Sequence, residues 1–392
     1  MILTFRYYMI SLFLCFATFV SIAQDAPYKF SVDISNNLSK EQFPQMYQKA
    51  AWDYSNIGEY KKALELYDRD KAITPSLSQK SLDYFKQFKP INAIEYILKR
   101  AKKERILIIN EAHHQPNHRV FLESLLKGLF LIGYQYIGME AIDAKDTALN
   151  TRKYPVEFSG FYIKQPQFGN LVRTALEDGF SIFGYESKSY IPKEREIEQA
   201  KNIKAFLDKN PTAKIIIYCG FAHIVENEFP EWGKAMAGWV KEYTGIDPFT
   251  IDQITLTETN SKEYDNPYYQ AINLNYYALF SDSLGKLFNG PEGSNQYDVM
   301  VYHPRTQWLY GRPHWLFENN RIPYFTDSIG NVNFPCLVSA YCQGEDIVSA
   351  IPFDVIELKN KNDNKALSLK SGKYILKIRD VNGLISYLNI EI

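Results

Sequence analysis

A chain of 392 residues with 46% hydrophobic content is long enough for one large domain or two ordinary ones and apolar enough to bury a core. Its 44 basic residues against 45 acidic ones leave a formal charge of -1, which excludes a bulk field that would draw it onto nucleic acid or anionic lipid.

In chain order, residues 1–23 read as an export signal. Arg6 lies in a short polar start, an apolar stretch runs from Met9 to Val20, and small Ser21 and Ala23 are placed for cleavage after Ala23. Cys15 follows Leu14, where a lipoprotein signal wants a small residue. The mature chain is therefore expected to begin at Gln24 and to be soluble in the periplasm or outside the cell. No later stretch reaches the roughly 18 apolar residues of a membrane span. Cys219, Cys336 and Cys342 remain. In an oxidising compartment Cys336 and Cys342 are spaced to pair across a turn, and Cys219 in "IIIYCG" reads as buried and single.

Residues 24–103 form a helical segment. Tyr54, Gly58, Tyr60, Ala63, Leu64, Tyr67 and Pro75 recur at helix-turn-helix spacing, a pattern that resembles one tetratricopeptide unit, with Asp70 where that pattern has alanine. A lone unit cannot bury its own face, so it must pack on its neighbours. An amphipathic hairpin with no peptide-binding role explains the same residues.

From residue 104 to about 330 short apolar runs alternate with amphipathic stretches. "RILIIN", "YQYIGMEA", "FSIFGYES" and "KIIIYCGFAHIV" are strand-like; "HRVFLESLLKGLFLIG", "QFGNLVRTALEDG", "PKEREIEQAKNIKAFLDKN" and "EWGKAMAGWVKEYTG" are helix-like. This is the signature of an α/β fold, a mostly parallel sheet flanked by helices. Residues 260–300 are richer in polar residues and glycine and read as an irregular insertion, after which "YDVMVYHP" adds a strand. Residues 331–392 read as a small β segment with a hairpin at Asn382-Gly383.

The chemistry-bearing residues recur at one point of this pattern. "RILIIN" is followed by Glu111, His113 and His114, "YQYIGM" by Glu140, "FSIFGY" by Glu186 and "IIIYCGFA" by His223. Right-handed crossovers put the C-terminal ends of parallel strands on one edge, where open α/β sheets bind ligands. Taken singly, Glu140 and Glu186 suit helix-cap acids, His114 and His118 solvated loop residues, and His223 a hydrogen-bonded core histidine. Together they predict a shared crevice, because several ionisable groups at one edge are costly without a purpose.

"ILIINEAHHQPNHR" resembles the G-E-x-H or G-E-x-x-H motif of the erythromycin esterase, ChaN-like haem-binding and Tiki/TraB superfamily, with Asn110 at the glycine position. Glu111 matches its glutamate, His113 the shorter spacing and His114 the longer, and Glu140 in "IGMEA" its second glutamate. "REIEQAKNI" is similar to the esterase branch's R-[DE]-x-x-M-A-x-N helix, placing Arg195 and Asn202, with Gln199 at the methionine position. "CGFAH" is similar to its late G-x-x-H segment and gives His223. The resemblance spans roughly residues 104 to 260. It implies either lactone hydrolysis by a histidine base with glutamates, metal-dependent peptide hydrolysis, or haem binding.

The expected function is an exported hydrolase acting on an ester, lactone or amide of a small molecule or peptide. His113 or His114, beside Glu111, takes a proton from water, and Arg195 steadies the oxyanion. Substituting Glu111 or His223 is then expected to abolish turnover and leave the thermal midpoint almost unchanged. Were a divalent transition metal present, Glu111, His113, Glu140 and His223 would supply its ligands. The alternative is haem or iron capture in the same crevice, with Glu186 and His118 assigned to binding the cofactor. No P-loop, G-x-G-x-x-G turn, H-E-x-x-H helix or G-x-S-x-G elbow is present.

Overall fold

The computed structural model describes residues 28–40, 44–230, 232–326, 329–330 and 332–392. Residues 1–23, read from the sequence as an expected export signal, lie outside the described residues. No described helix is long and apolar enough to cross a membrane.

Six strands form the central sheet: β1 (Ile106–Glu111), β2 (Tyr134–Met139), β3 (Ser181–Gly184), β4 (Lys214–Gly220), β5 (Phe249–Asp252) and β6 (Val299–Met300). Their order across the sheet is β6-β5-β1-β4-β2-β3, and every pairing is parallel. The apolar runs are buried on both faces because helices cover both. Leu107, Ile109, Ile137, Met139 and Ile216 pack toward α1 (Ala93–Ala101), α2 (Asn117–Leu131) and α3 (Pro166–Asp178). The alternate residues Ile106, Ile108, Ile215, Ile217 and Cys219 pack toward α4 (Pro192–Lys209) and α5 (Met236–Thr244). This is the period of two that a pleated strand imposes.

Local signals set the helix ends. Asn92 caps α1 by accepting from the Glu95 N–H at 3.1 Å. Gln165 does the same for α3 at Phe168, Pro166 opens that helix, and Gly179 closes it in the left-handed region. The helix expected from residue 231 starts at Met236, because Gly233–Lys234 pairs antiparallel with Glu228–Phe229. Strand-like "KIIIYCGFAHIV" ends at Gly220, and Phe221–Ile224 is a 3-10 turn. Among the strands the sequence reading did not include are β5, "FTID", and the antiparallel pair Lys89–Asn92 and Ala278–Ser281, the latter inside the insertion.

The helical hairpin expected before the sheet is present as Pro44–Asn56 and Tyr60–Tyr67. Gly58 turns the chain between them at φ +76, and a Cβ there would lie 2.7 Å from the Val355 carbonyl. Its apolar face is completed by the other end of the chain: Tyr54, Ile57 and Ala63 pack with Leu337 and Val355. The C-terminal sheet is antiparallel, built from β7 (Cys336–Cys342), β8 (Asp354–Leu358), β9 (Lys373–Asp380) and β10 (Ile385–Glu391). Cys336 and Cys342 do not pair. They sit at the two ends of β7, roughly 20 Å apart on an extended strand, where a disulfide needs Cα atoms within about 7 Å. Both are free, as is buried Cys219.

Candidate active site

β1 and β4 run side by side, so Glu111 lies level with Gly220. Just past β2, the Glu140 N–H donates to the Tyr218 carbonyl at 3.1 Å, which fixes Glu140 on the other flank of β4. Two clusters of charged side chains rise from this edge, one on each face of the sheet.

The first surrounds Glu111, which is 1% exposed. Its Oε2 accepts from Arg119 Nε and the Tyr218 hydroxyl, both at 2.6 Å. Its Oε1 accepts from Arg119 Nη2 at 2.7 Å and lies 2.7 Å from His113 Nδ1. Burial pushes the Glu111 carboxyl up, but the Arg119 guanidinium and His113 outweigh it and hold the group well below the usual carboxylate range. An ionised carboxylate only accepts, so the proton of His113 sits on Nδ1 and its Nε2 is left to act. The ring stacks on Tyr162 at 3.7 Å and meets Phe221 edge-on at 5.1 Å. Phe221 itself is held at φ +42, a strained conformation for a side-chain-bearing residue.

The second cluster is built on α4 and the 3-10 turn. His223 Nδ1 lies 2.6 Å from Glu196 Oε1, and Glu196 Oε2 accepts the Met236 N–H that opens α5. Arg195 donates to His223 Nε2 at 2.9 Å, to Glu140 Oε1 at 2.5 Å and to Glu186 Oε2 at 2.6 Å. Because arginine cannot accept, the His223 proton sits on Nδ1, facing Glu196. Burial disfavours a charged His223, yet Glu140 and Glu196 together raise its pKa above the ordinary value. Burial likewise pushes the Glu140 carboxyl up, but His223, His113, Arg195 and the Gly220 N–H bring it down to about 2.

The clusters meet across Gly220. Its N–H donates to Glu140 Oε2 at 2.6 Å. A Cβ placed on it would lie 2.6 Å from His113 Nε2 and 3.3 Å from Glu140 Oε2. The absence of a side chain at this one position lets an imidazole from one face approach a carboxylate from the other. Glu111, His113, Glu140, Arg195 and His223 are thus brought together, with Glu186 at the rim, held by Arg195 and by Gln199 at 2.9 Å. Asn202 holds the backbone carbonyls of Tyr185 and Glu186 at 3.0 and 3.3 Å.

His114 and His118 are elsewhere, and neither is a solvated loop residue. His118 is fully enclosed, accepts the Ala112 N–H at 3.0 Å and contacts His303 edge-on. His114, 3% exposed, stacks on Tyr67 at 3.4 Å. Burial drives both well below the usual histidine pKa. Arg119, Tyr218, Tyr162, Glu196 and Gly220 were not singled out from the sequence. Glu196 occupies the [DE] position of the esterase-like helix pattern, which was the available signal.

The donor set does not fit a divalent metal. Both Glu111 oxygens face Arg119, and those of Glu140 face Arg195 and the Gly220 N–H. Among the described residues no three His, Cys, Asp or Glu side chains stand so as to hold an ion. A haem iron fits no better: His223 is wedged between Arg195 at Nε2 and Glu196 at Nδ1, His113 is covered by Tyr162, and His118 is enclosed.

No family model and no curated protein matches the chain. Among solved structures it is similar to the type III effector HopBA1 at 12% identity and TM-score 0.32, covering 43% of this chain and 86% of that one. A structure described as bacterial protein toxins aligns at 14% identity and TM-score 0.32, covering 55% of this chain and 46% of that one. RRSP, a MARTX toxin effector domain from Vibrio vulnificus CMCP6, aligns at 14% identity and TM-score 0.30, covering 57% of this chain and 45% of that one. The chain thus matches under half the length of the latter two.

Proposed function

We propose that this protein is an exported hydrolase of the erythromycin esterase-like kind, which cleaves an ester, lactone or amide by direct attack of water. One observation carries the reading. His113 and His223 each have Nδ1 against a buried carboxylate, at 2.7 and 2.6 Å; His223 Nε2 lies 3.7 Å from Glu140 Oε1, and His113 Nε2 and Glu140 Oε2 both border the side-chain position left empty at Gly220. A carboxylate behind an imidazole fixes its tautomer and its orientation, the arrangement general acid–base catalysis requires.

In this reading His113 Nε2 takes a proton from water as the water oxygen adds to the acyl carbon. The C–O or C–N bond then breaks, and the leaving group takes its proton from the imidazolium formed. Glu140 orients the water and favours the transient positive charge on either ring. Arg195, which bridges Glu140, Glu186 and His223, turns one N–H toward the developing oxyanion. No acyl-enzyme is needed, and Cys219 takes no part: burial pushes its thiol well up, which keeps it protonated.

The test is turnover of a panel of p-nitrophenyl esters, lactones and chromogenic amides by the mature chain, with His113→Ala and Glu140→Gln alongside. Hydrolysis lost in both variants supports the reading; hydrolysis equal in both overturns it. Haem capture is the competing expectation, and a Soret shift saturating at one haem per chain would favour it instead.

A further inference from the structure

Two cavities lie beside the catalytic cluster and share His114, Gln115 and Thr259 in their walls. The smaller, about 130 Å³, reaches Asn260 and Trp308; the larger, about 510 Å³, reaches Tyr67, Phe221 and Tyr264. Phe221 also touches the His113 ring. The helical segment before the sheet is therefore part of these walls, through Tyr60, Leu64 and Tyr67.

The lining has a distinct chemistry. In the larger cavity the one charged side chain is Lys71, which is bridged to buried Asp68 at 2.7 Å. The smaller holds one charge of each sign, Lys61 and Glu258. No excess charge exists to recognise a phosphate or a carboxylate. The polar groups are amides and hydroxyls, Gln115, Thr257, Thr259 and Asn260; Thr259 gives its hydroxyl hydrogen to Ser261 and Asp265 and is left to accept, and the Gln115 amide, donating to the Glu258 carbonyl at 3.1 Å, keeps a second N–H. An aromatic face accompanies them: Trp308 is 49% exposed at the mouth, whereas one face of Tyr67 is already stacked on His114.

Polar atoms in the walls also lack partners. His114 is 3% exposed and neither of its ring nitrogens is hydrogen-bonded, and the buried Asn260 Oδ1 has no donor. Buried polar atoms are nearly always satisfied, and an exception calls for a missing partner. Hydroxyl groups, which donate and accept at once, satisfy an imidazole and an amide without bringing charge. The C–H face of a sugar ring lies flat on an aromatic side chain in the same way an apolar surface does.

We propose that the two cavities form one groove for a neutral oligosaccharide, seated on Trp308 and hydrogen-bonded by His114, Gln115, Thr259 and Asn260. The site binds whether or not the neighbouring cluster hydrolyses anything, so the two readings fail separately. The experiment is saturation-transfer NMR on the full mature chain with cellotriose, maltotriose and chitotriose at millimolar concentration, with trigalacturonate as the charged control. Transfer to at least one neutral trimer is expected, with little to trigalacturonate. Trp308→Ala and Asn260→Ala should each weaken it roughly tenfold, the equivalent of one lost stacking or hydrogen-bonding contact, while His113→Ala leaves it unchanged. Far-UV circular dichroism checks that the variants fold. No transfer to any neutral trimer, preference for trigalacturonate, or undiminished binding by folded Trp308→Ala would each overturn the proposal.

Discussion

His113 Nε2 stands 2.6 Å from the point a Cβ on Gly220 would occupy. Gly220 has φ -87, which any residue adopts, so its lack of a side chain answers to space and not to backbone freedom. Gly220→Ala is expected to displace the imidazole and cut kcat about 100-fold, the scale of a 1 Å misplacement. The thermal midpoint should move by only a few degrees, and an activity assay beside a melting curve checks both.

Glu111 is not separable from the fold. Its carboxylate neutralises Arg119, which is 0% exposed, so Glu111→Ala strands a buried cation. The expectation of an unchanged midpoint is corrected here: the loss should be about 3–5 kcal/mol. Replacing Glu111 and Arg119 together by Leu and Met should recover much of that stability and none of the activity. Urea unfolding of the single and double variants makes the comparison.

Glu196 tunes His223 from behind. Its charge is one of the two that raise the His223 pKa against burial. Glu196→Gln should therefore lower that pKa, by roughly 1–3 units for loss of an adjacent opposite charge. NMR titration of the His223 ring proton reads this without a substrate. In a substrate assay the acid limb of the pH profile should move the same way if His223 must be neutral to act.

His303 is 1% exposed, has no partner at either ring nitrogen, and is held by burial at a pKa of about 3. Its folded pKa is depressed, so below the ordinary value near 6.5 the unfolded chain binds the extra proton and stability falls with pH. The slope reaches about 1.4 kcal/mol per pH unit for one proton. His303 packs among Phe121, Tyr277 and His118, a setting that accepts a phenyl ring. His303→Phe is expected to stabilise by about 1–3 kcal/mol and to flatten the slope between pH 3 and 6.5. Denaturant midpoints across that range test it.

The apolar runs were legible as parallel strands because β1 and β4, at the centre of the sheet, are buried on both faces almost throughout, and the shorter runs of β2 and β3 are interrupted only near their starts, by Gln135 and Ser181. The acids and imidazoles at their ends were legible because parallel topology carries them to one edge. What escaped had physical reasons. β5 is four residues long behind Asp247-Pro248, too short to show a period. Arg119 and Tyr218 look like ordinary helix and strand residues, and only coordinates show that both serve Glu111. His113, His114 and His118 are neighbours in sequence, yet the turn into α2 sends them to three different surroundings.

The hairpin of residues 44–67 finishes its apolar face with Leu337 and Val355. During synthesis, therefore, some 270 residues separate the first part of that core from its last, by position alone. The emerging chain must carry an open apolar surface until β7 and β8 leave the ribosome, a condition that favours chaperone capture before the fold is complete.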